Sequence, residues 1–172
     1  MRLRKSKRPA ASQLAMSFAR VDAESSVVRW FLSRHGEAVL NDAPALMARL
    51  AQGRADVALV FCDDRVAGLV AWTRDAVPAS ATTFGLPVGP STAEGAAEVL
   101  AVYSTDSSHP LPPAFVYGPD GPFKAAGIDQ VWTLAGGSAE VKRWRAAGFT
   151  PDPAGAAQRD SVVRLTRSVE AG

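Results

Sequence analysis

Residues 128–149 read IDQVWTLAGGSAEVKRWRAAGF. Val131 to Leu134 (VWTL) is a short run of β-type residues, and Gly136-Gly137 breaks it. A helical pattern of about ten residues follows from Ser138. Within it Val141 and Trp144 stand three apart, so they share one face, and that face suits a core. Gly148 stops the pattern and Phe149 opens another extended stretch. The order is strand, helix, strand.

The chain upstream supplies the rest of a sheet. Leu14 to Val21 reads as a first strand. Asp22 reads as the N-cap of a helix whose apolar face is Val27, Val28, Phe31 and Leu32, with Gly36 as its stop. Asp42 reads as the cap of a second helix, with Pro44 in its first turn, Leu46, Met47 and Leu50 buried, and Gly53 at its end. Asp56 to Cys62 and Val66 to Thr73 are strand-like runs around Asp63-Asp64-Arg65, which predicts an antiparallel hairpin. Residues 75–95 hold small residues and three prolines, and read as an extended loop. Glu98 to Tyr103 reads as a strand. Five prolines between Ser104 and Pro122 exclude a long regular helix there.

Composition bounds the class. The chain has 172 residues, enough for one domain with a real core. Hydrophobic residues make up 47%, which argues against global disorder. No apolar run approaches the length of a membrane span, so no membrane partner is expected. The one cysteine, Cys62, cannot form an internal disulfide. That fits a reducing, cytoplasmic compartment, with Cys62 read as a small core hydrophobe. No metal-ligand constellation is visible, because the two histidines lie far apart in sequence.

The net charge of +2 hides an asymmetry. Residues 2–8 (RLRKSKR) carry five cations, which leaves fourteen cations against seventeen anions in the rest. Residues 1–13 are therefore read as a basic, disordered tail and 14–172 as the folded domain. The tail has no aromatic residue between its charges, so it lacks the surface on which bases would stack.

The strand order and the closing unit resemble the GNAT family of N-acetyltransferases. In that family the last helix commonly ends in a Phe-Tyr-x-x-x-Gly-Phe run, and the frame here is Arg143-Trp144-Arg145-Ala146-Ala147-Gly148-Phe149. The family's fourth strand begins with an acid and continues as a Leu-x-x-Leu-Tyr-Val-like run, to which Glu98-Val99-Leu100-Ala101-Val102-Tyr103 is similar. The resemblance implies an α/β fold: an acetyltransferase-like mixed central sheet flanked by helices, in a single domain. It also implies transfer of an acetyl group from acetyl-CoA to an amine, on a small molecule or a protein. By resemblance, Glu98 is the general base. Val102, Tyr103, Ser104 and Ala114 contact the cofactor, and the strands near 98–103 and 130–135 run parallel and splay at their ends.

Two departures support an alternative. Where the family cradles phosphate on loop amides, this chain has His109-Pro110-Leu111-Pro112-Pro113-Ala114. Three of these residues have no N–H and none is glycine. Each lost hydrogen bond to a charged group is worth about 1.5–3 kcal/mol, so losing several weakens cofactor binding by orders of magnitude. Where many members place an acidic tyrosine stands Trp144, which reads as a core anchor. The alternative is a degenerate, non-catalytic acetyltransferase-fold module with a binding or regulatory role. A Ser-His-Asp arrangement stays open, though no Gly-x-Ser-x-Gly elbow supports one.

Overall fold

Asp63 and Asp64 both adopt positive φ, 45° and 63°. Two consecutive left-handed residues make the tight turn whose twist matches a hairpin, and Asp tolerates this conformation better than most residues. The turn joins β2 (Asp56–Cys62) to β3 (Arg65–Thr73), antiparallel as expected. The structure is a computed structural model that describes residues 15–42, 44–75, 94–152 and 162–171. The predicted basic tail and nearly all of the 75–95 loop lie outside the described residues.

The hairpin sits within one mixed sheet of seven strands, in the order β1-β2-β3-β4-β5-β7-β6. β1 is Met16–Val21, β4 is Ala96–Ser104, β5 is Gln130–Gly136, β6 is Thr150–Pro151 and β7 is Val162–Ser168. Every described pairing is antiparallel except β4 with β5. That parallel ladder runs only from Ala96 opposite Gln130 to Glu98 opposite Trp132. Beyond it the two strands part, as the resemblance implied.

Helices cover both faces. On one lie α1 (Ser26–Asp42) and α2 (Pro44–Ala51), which bury Val28, Phe31, Val39 and Leu46 against Leu59, Leu69 and Ala101. On the other lie the one-turn helices α3 (Pro113–Val116) and α4 (Pro122–Ala125), with α5 (Ser138–Ala146). They place Val116, Phe123 and Trp144 over Trp72, Val99 and Val131. A sheet covered on both faces explains why β2 and β3 read as continuous apolar runs rather than alternating ones.

Several expectations about α1 need correction. Asp22 is not its N-cap. Its carboxylate accepts from the Glu24 amide at 2.9 Å, and the hydroxyl of Ser25 accepts from Val28 N at 3.3 Å. Ser25 therefore satisfies the helix's first turn. Val27 is 45% exposed, so the apolar face is narrower than its spacing suggested. Gly36 does not stop the helix, which continues to Asp42. A mid-helix glycine costs only about 1 kcal/mol relative to alanine, and burial of Val39 beyond it offsets that. Asp42 is thus the last residue of α1, while Pro44 opens α2 and Gly53 follows its end as predicted.

The end of α5 follows its sequence closely. Gly148 has φ 85°. The Phe149 amide donates to Trp144 O at 3.1 Å and the Gly148 amide to Arg145 O at 2.9 Å. This paired reverse bonding needs a left-handed residue, which glycine supplies without strain. The accompanying apolar contact is Trp144 against Phe149, edge to face, with centroids 4.9 Å apart.

Candidate active site

β4 carries a bulge. Ala101 opposes Ala71 and Val99 opposes Trp72, so Leu100 is the extra residue. Side chains alternate along a strand, and a bulge shifts the alternation by one. Ala97 and Val99 accordingly pack on the α3–α5 face before it, and Val102 after it. Leu100, Ala101 and Tyr103 pack toward α1 and α2. The bulge thus re-aims the half of β4 that has parted from β5.

A cavity of about 720 Å³ lies along the half of β4 beyond its ladder with β5. β4 contributes Leu100 to Ser104, followed by Thr105, and α5 contributes Arg143, Trp144, Ala146 and Ala147. Pro110, Leu111, Pro113, Val116 and Tyr117 close it on the α3 side, and Ala38 and Val39 of α1 close the far end. The wall is mostly apolar. Among the described residues lining it, Arg143 is the one charged side chain.

Of the residues singled out in the sequence, Val102, Tyr103 and Ser104 line this cavity together. Ala114 does not; its neighbour Pro113 does. Glu98 lies one residue before the bulge pair, outside the lining, and is 1% exposed. Its burial follows from the central place of β4, with β3 pairing Thr73 and β5 pairing Trp132 against this residue. Glu98 alternates with Ala97 and Val99, so it points toward the α1–α2 face. Trp144 is 9% exposed and packs on Phe149, as a core anchor does. Cys62 is half-buried at the end of β2 rather than in the core.

Two polar features were not anticipated. The Tyr103 hydroxyl lies 3.4 Å from His35 Nδ1, and both rings contact Phe31. No local pattern announces this pair, because α1 meets β4 only in the tertiary fold. Tyr117 is buried at 1% exposure, stacked on Phe123 at 5.4 Å, with the Arg167 guanidinium 4.3 Å above its ring. Burial pushes its phenol well above the ordinary tyrosine range, and Arg167 pulls only weakly the other way. Its hydroxyl and the Trp144 indole N–H have no hydrogen-bond partner among the described residues.

Several amides of the loop between β4 and α3 are engaged within it. Ser108 N donates to Asp106 Oδ1 at 2.9 Å and His109 N to Asp106 O at 3.2 Å. Leu111 N donates to Ser104 Oγ at 2.8 Å, and Phe115 N and Val116 N both reach Pro112 O at 3.0 Å. Pro110, Pro112 and Pro113 have no N–H to offer. The amides of Ser108, His109, Leu111, Phe115 and Val116 are thus engaged within the loop and α3.

Asp106, Ser108 and His109 do meet, but not as a nucleophile relay. Ser108 Oγ and Asp106 Oδ2 approach the same ring atom, His109 Nδ1, at 3.1 and 2.9 Å. A relay needs the nucleophile and the carboxylate on opposite ring nitrogens. The cluster is a solvated loop lock. Hydrogen bonds from the Ser108 side chain, then the His109 ring, then the Ser108 amide hold the Asp106 carboxyl at about 2, below its ordinary 3.8. A depressed carboxylate favours the folded loop above the unfolded value and loses that contribution as pH falls through the folded one. The Ser108 amide resonance should therefore titrate with a midpoint near 2 in an NMR pH series. A midpoint at the ordinary carboxylate value would show that the lock does not form.

No protein-family model and no curated protein sequence matches this chain. Its fold does match solved acetyltransferase structures. One, assigned to the GNAT family and from Desulfovibrio desulfuricans, superposes with a TM-score of 0.51 at 15% identity, over 90% of this chain and 99% of that one. The aminoglycoside N-acetyltransferase AAC(6')-Ib11 gives a TM-score of 0.51 at 11% identity, over 90% and 96%. The chain thus has the GNAT acetyltransferase fold, in a single α/β domain. Among the described residues no helix is long and apolar enough to cross a membrane.

Proposed function

We propose that this protein is an N-acyltransferase that takes an acetyl group from acetyl-CoA and gives it to an amine. The observation that carries this reading is the cavity along β4 beyond its ladder with β5, walled by Leu100 to Thr105 and by α5. Past Glu98 the β5 side of β4 has no strand ladder, so the backbone of Val102 to Ser104 faces the cavity side of the sheet without one. An amide-bearing arm such as pantetheine fits an apolar slot beside such a strand edge, as an added strand fits an open sheet.

Acetyl-CoA, when bound, supplies the acetyl group activated as a thioester. The chain's own residues would do the rest. Val102, Tyr103 and Ser104 hold the arm. Leu100, Leu111 and Trp144 exclude water from the reacting end. Proton transfer from the amine falls to Glu98, or to His35, which lies 3.4 Å from the hydroxyl of the cavity-lining Tyr103.

A second reading rests on the committed amides of residues 108–116. It is an acetyltransferase fold that has lost its cofactor and serves as a binding module. The test is thermal melting with acetyl-CoA, followed by thiol release with a panel of small amines and peptide N-termini. A ligand that binds only the folded state raises the melting temperature. A rise with thiol release supports the enzyme; a rise without release over the panel favours a binding role. No rise at millimolar ligand refutes cofactor binding.

A further inference from the structure

Phe31 and His35 stand one turn apart on α1, so they share a face. Phe31 is fully buried, and the two rings meet with centroids 4.8 Å apart. Tyr103 joins them from β4. Its ring meets Phe31 edge to face at 5.9 Å and lies 5.7 Å from His35. The bulge at Leu100 brings it there. Without the extra residue, position 103 would share the face of Ala97 and Val99, toward α3–α5. With it, Tyr103 turns to α1, and its hydroxyl lies 3.4 Å from His35 Nδ1. Tyr103 also lines the cavity, whose far end is closed by Ala38 and Val39 in the next turn of α1. The pair thus ties an imidazole of α1 to the cavity wall.

From this we infer that Tyr103 and His35 form the proton relay of the site, Tyr103 meeting the amine and His35 acting through it. The inference rests on the acyltransferase reading given above and chooses between its two proton acceptors. Glu98 is 1% exposed and outside the lining, whereas Tyr103 is part of the wall. As the amine nitrogen bonds to the acyl carbon, its N–H proton passes to Tyr103 Oη and the hydroxyl's own proton passes to His35 Nδ1. The acyl–sulfur bond breaks with its electron pair on sulfur, which takes a proton from water. The imidazolium returns one proton to water, so the protons balance. The relay needs His35 in the tautomer with its hydrogen on Nε2, which leaves Nδ1 to accept. A separation of 3.4 Å is long for such a bond, as in sites that tighten only when substrate binds.

The first test needs no ligand. Nitrogen NMR of the histidine rings reads the tautomer of the neutral imidazole, and the chain has only two histidines to assign. His35 should carry its hydrogen on Nε2, and Tyr103→Phe should shift the Nδ1 resonance. A hydrogen on Nδ1 would overturn the inference, because the hydroxyl would then be the acceptor. The second test is steady-state kinetics with acetyl-CoA and a panel of small amines and peptide N-termini. Tyr103→Phe and His35→Gln should each lower kcat about 100-fold or more and leave KM for acetyl-CoA within about twofold. Phenylalanine keeps the ring against Phe31 and the backbone of β4, so the melting temperature and acetyl-CoA binding should hold. A kcat within a few-fold of wild type in either variant would overturn the inference and leave the acyltransferase reading standing. So would a joint loss of kcat, cofactor affinity and melting temperature, which would mean that the pair only packs α1 on β4. No acyl transfer by the wild type to any amine of the panel would overturn both.

Discussion

Replacing Gly68 by alanine should lower stability by about 3 kcal/mol and the melting temperature by roughly 6–12 °C. Gly68 opposes Val60 on one side and Ser104 on the other, next to the irregularity where β3 holds Ala67 as an extra residue. A Cβ there would overlap the Tyr103 carbonyl oxygen and lie 2.8 Å from Leu111 Cδ1. A side chain could turn aside, but a backbone oxygen in a central ladder cannot. The strain must move β3 against β4. Tyr103 and Leu111 both line the cavity, so ligand affinity should fall with stability. Differential scanning calorimetry checks the first effect. A melting temperature unchanged within a degree or so would mean that β3 and β4 lie farther apart at this point than described.

Trp144→Ala should cost about 3–5 kcal/mol, whereas Trp144→Phe should cost about 1 kcal/mol. The indole fills the space between α5 and Phe149 and closes the helix-end motif, so truncation leaves a void. Phenylalanine keeps most of the volume and the edge-to-face contact. It also removes an N–H that is buried with no partner among the described residues. Denaturant unfolding of both variants separates packing from hydrogen bonding. If Phe costs as much as Ala, the indole N–H has a partner and Trp144 does more than pack.

The parts of the fold legible in sequence were those fixed by neighbours along the chain. Asp63-Asp64 announced the hairpin because the turn needs two left-handed residues. Gly148-Phe149 announced the end of α5 because one residue must supply positive φ and the next an apolar contact. Gly36 misled for the converse reason. Nothing around it requires a stop, and packing of Val39 three residues later decides the helix. The choice of Asp22 over Ser25 as cap was a shift of three residues, within the scope of side chains that both bind nearby amides.

The site was legible in part. Val102, Tyr103 and Ser104 were singled out because the strand run resembles a family pattern, and they line one cavity. The burial of Glu98 was not visible, since it depends on β3 and β5 flanking it from distant parts of the chain. The bulge at Leu100 left no mark in the residue types. That the amides of Ser108, Leu111 and Val116 in the proline-rich loop go to Asp106, Ser104 and Pro112 shows only in three dimensions. Arg143 stood in the motif frame, yet nothing local told that the cavity would hold no other charge among its described lining residues.

The most direct test of the account is a two-dimensional NMR titration of the nitrogen-labelled protein with acetyl-CoA. The account predicts fast-exchange shifts at the amides of Val102, Tyr103 and Ser104, and at Ala146, Ala147 and the Trp144 indole, with the Ser108 and His109 amides unmoved. Shifts centred on residues 106–115, or none anywhere up to millimolar ligand, would contradict it.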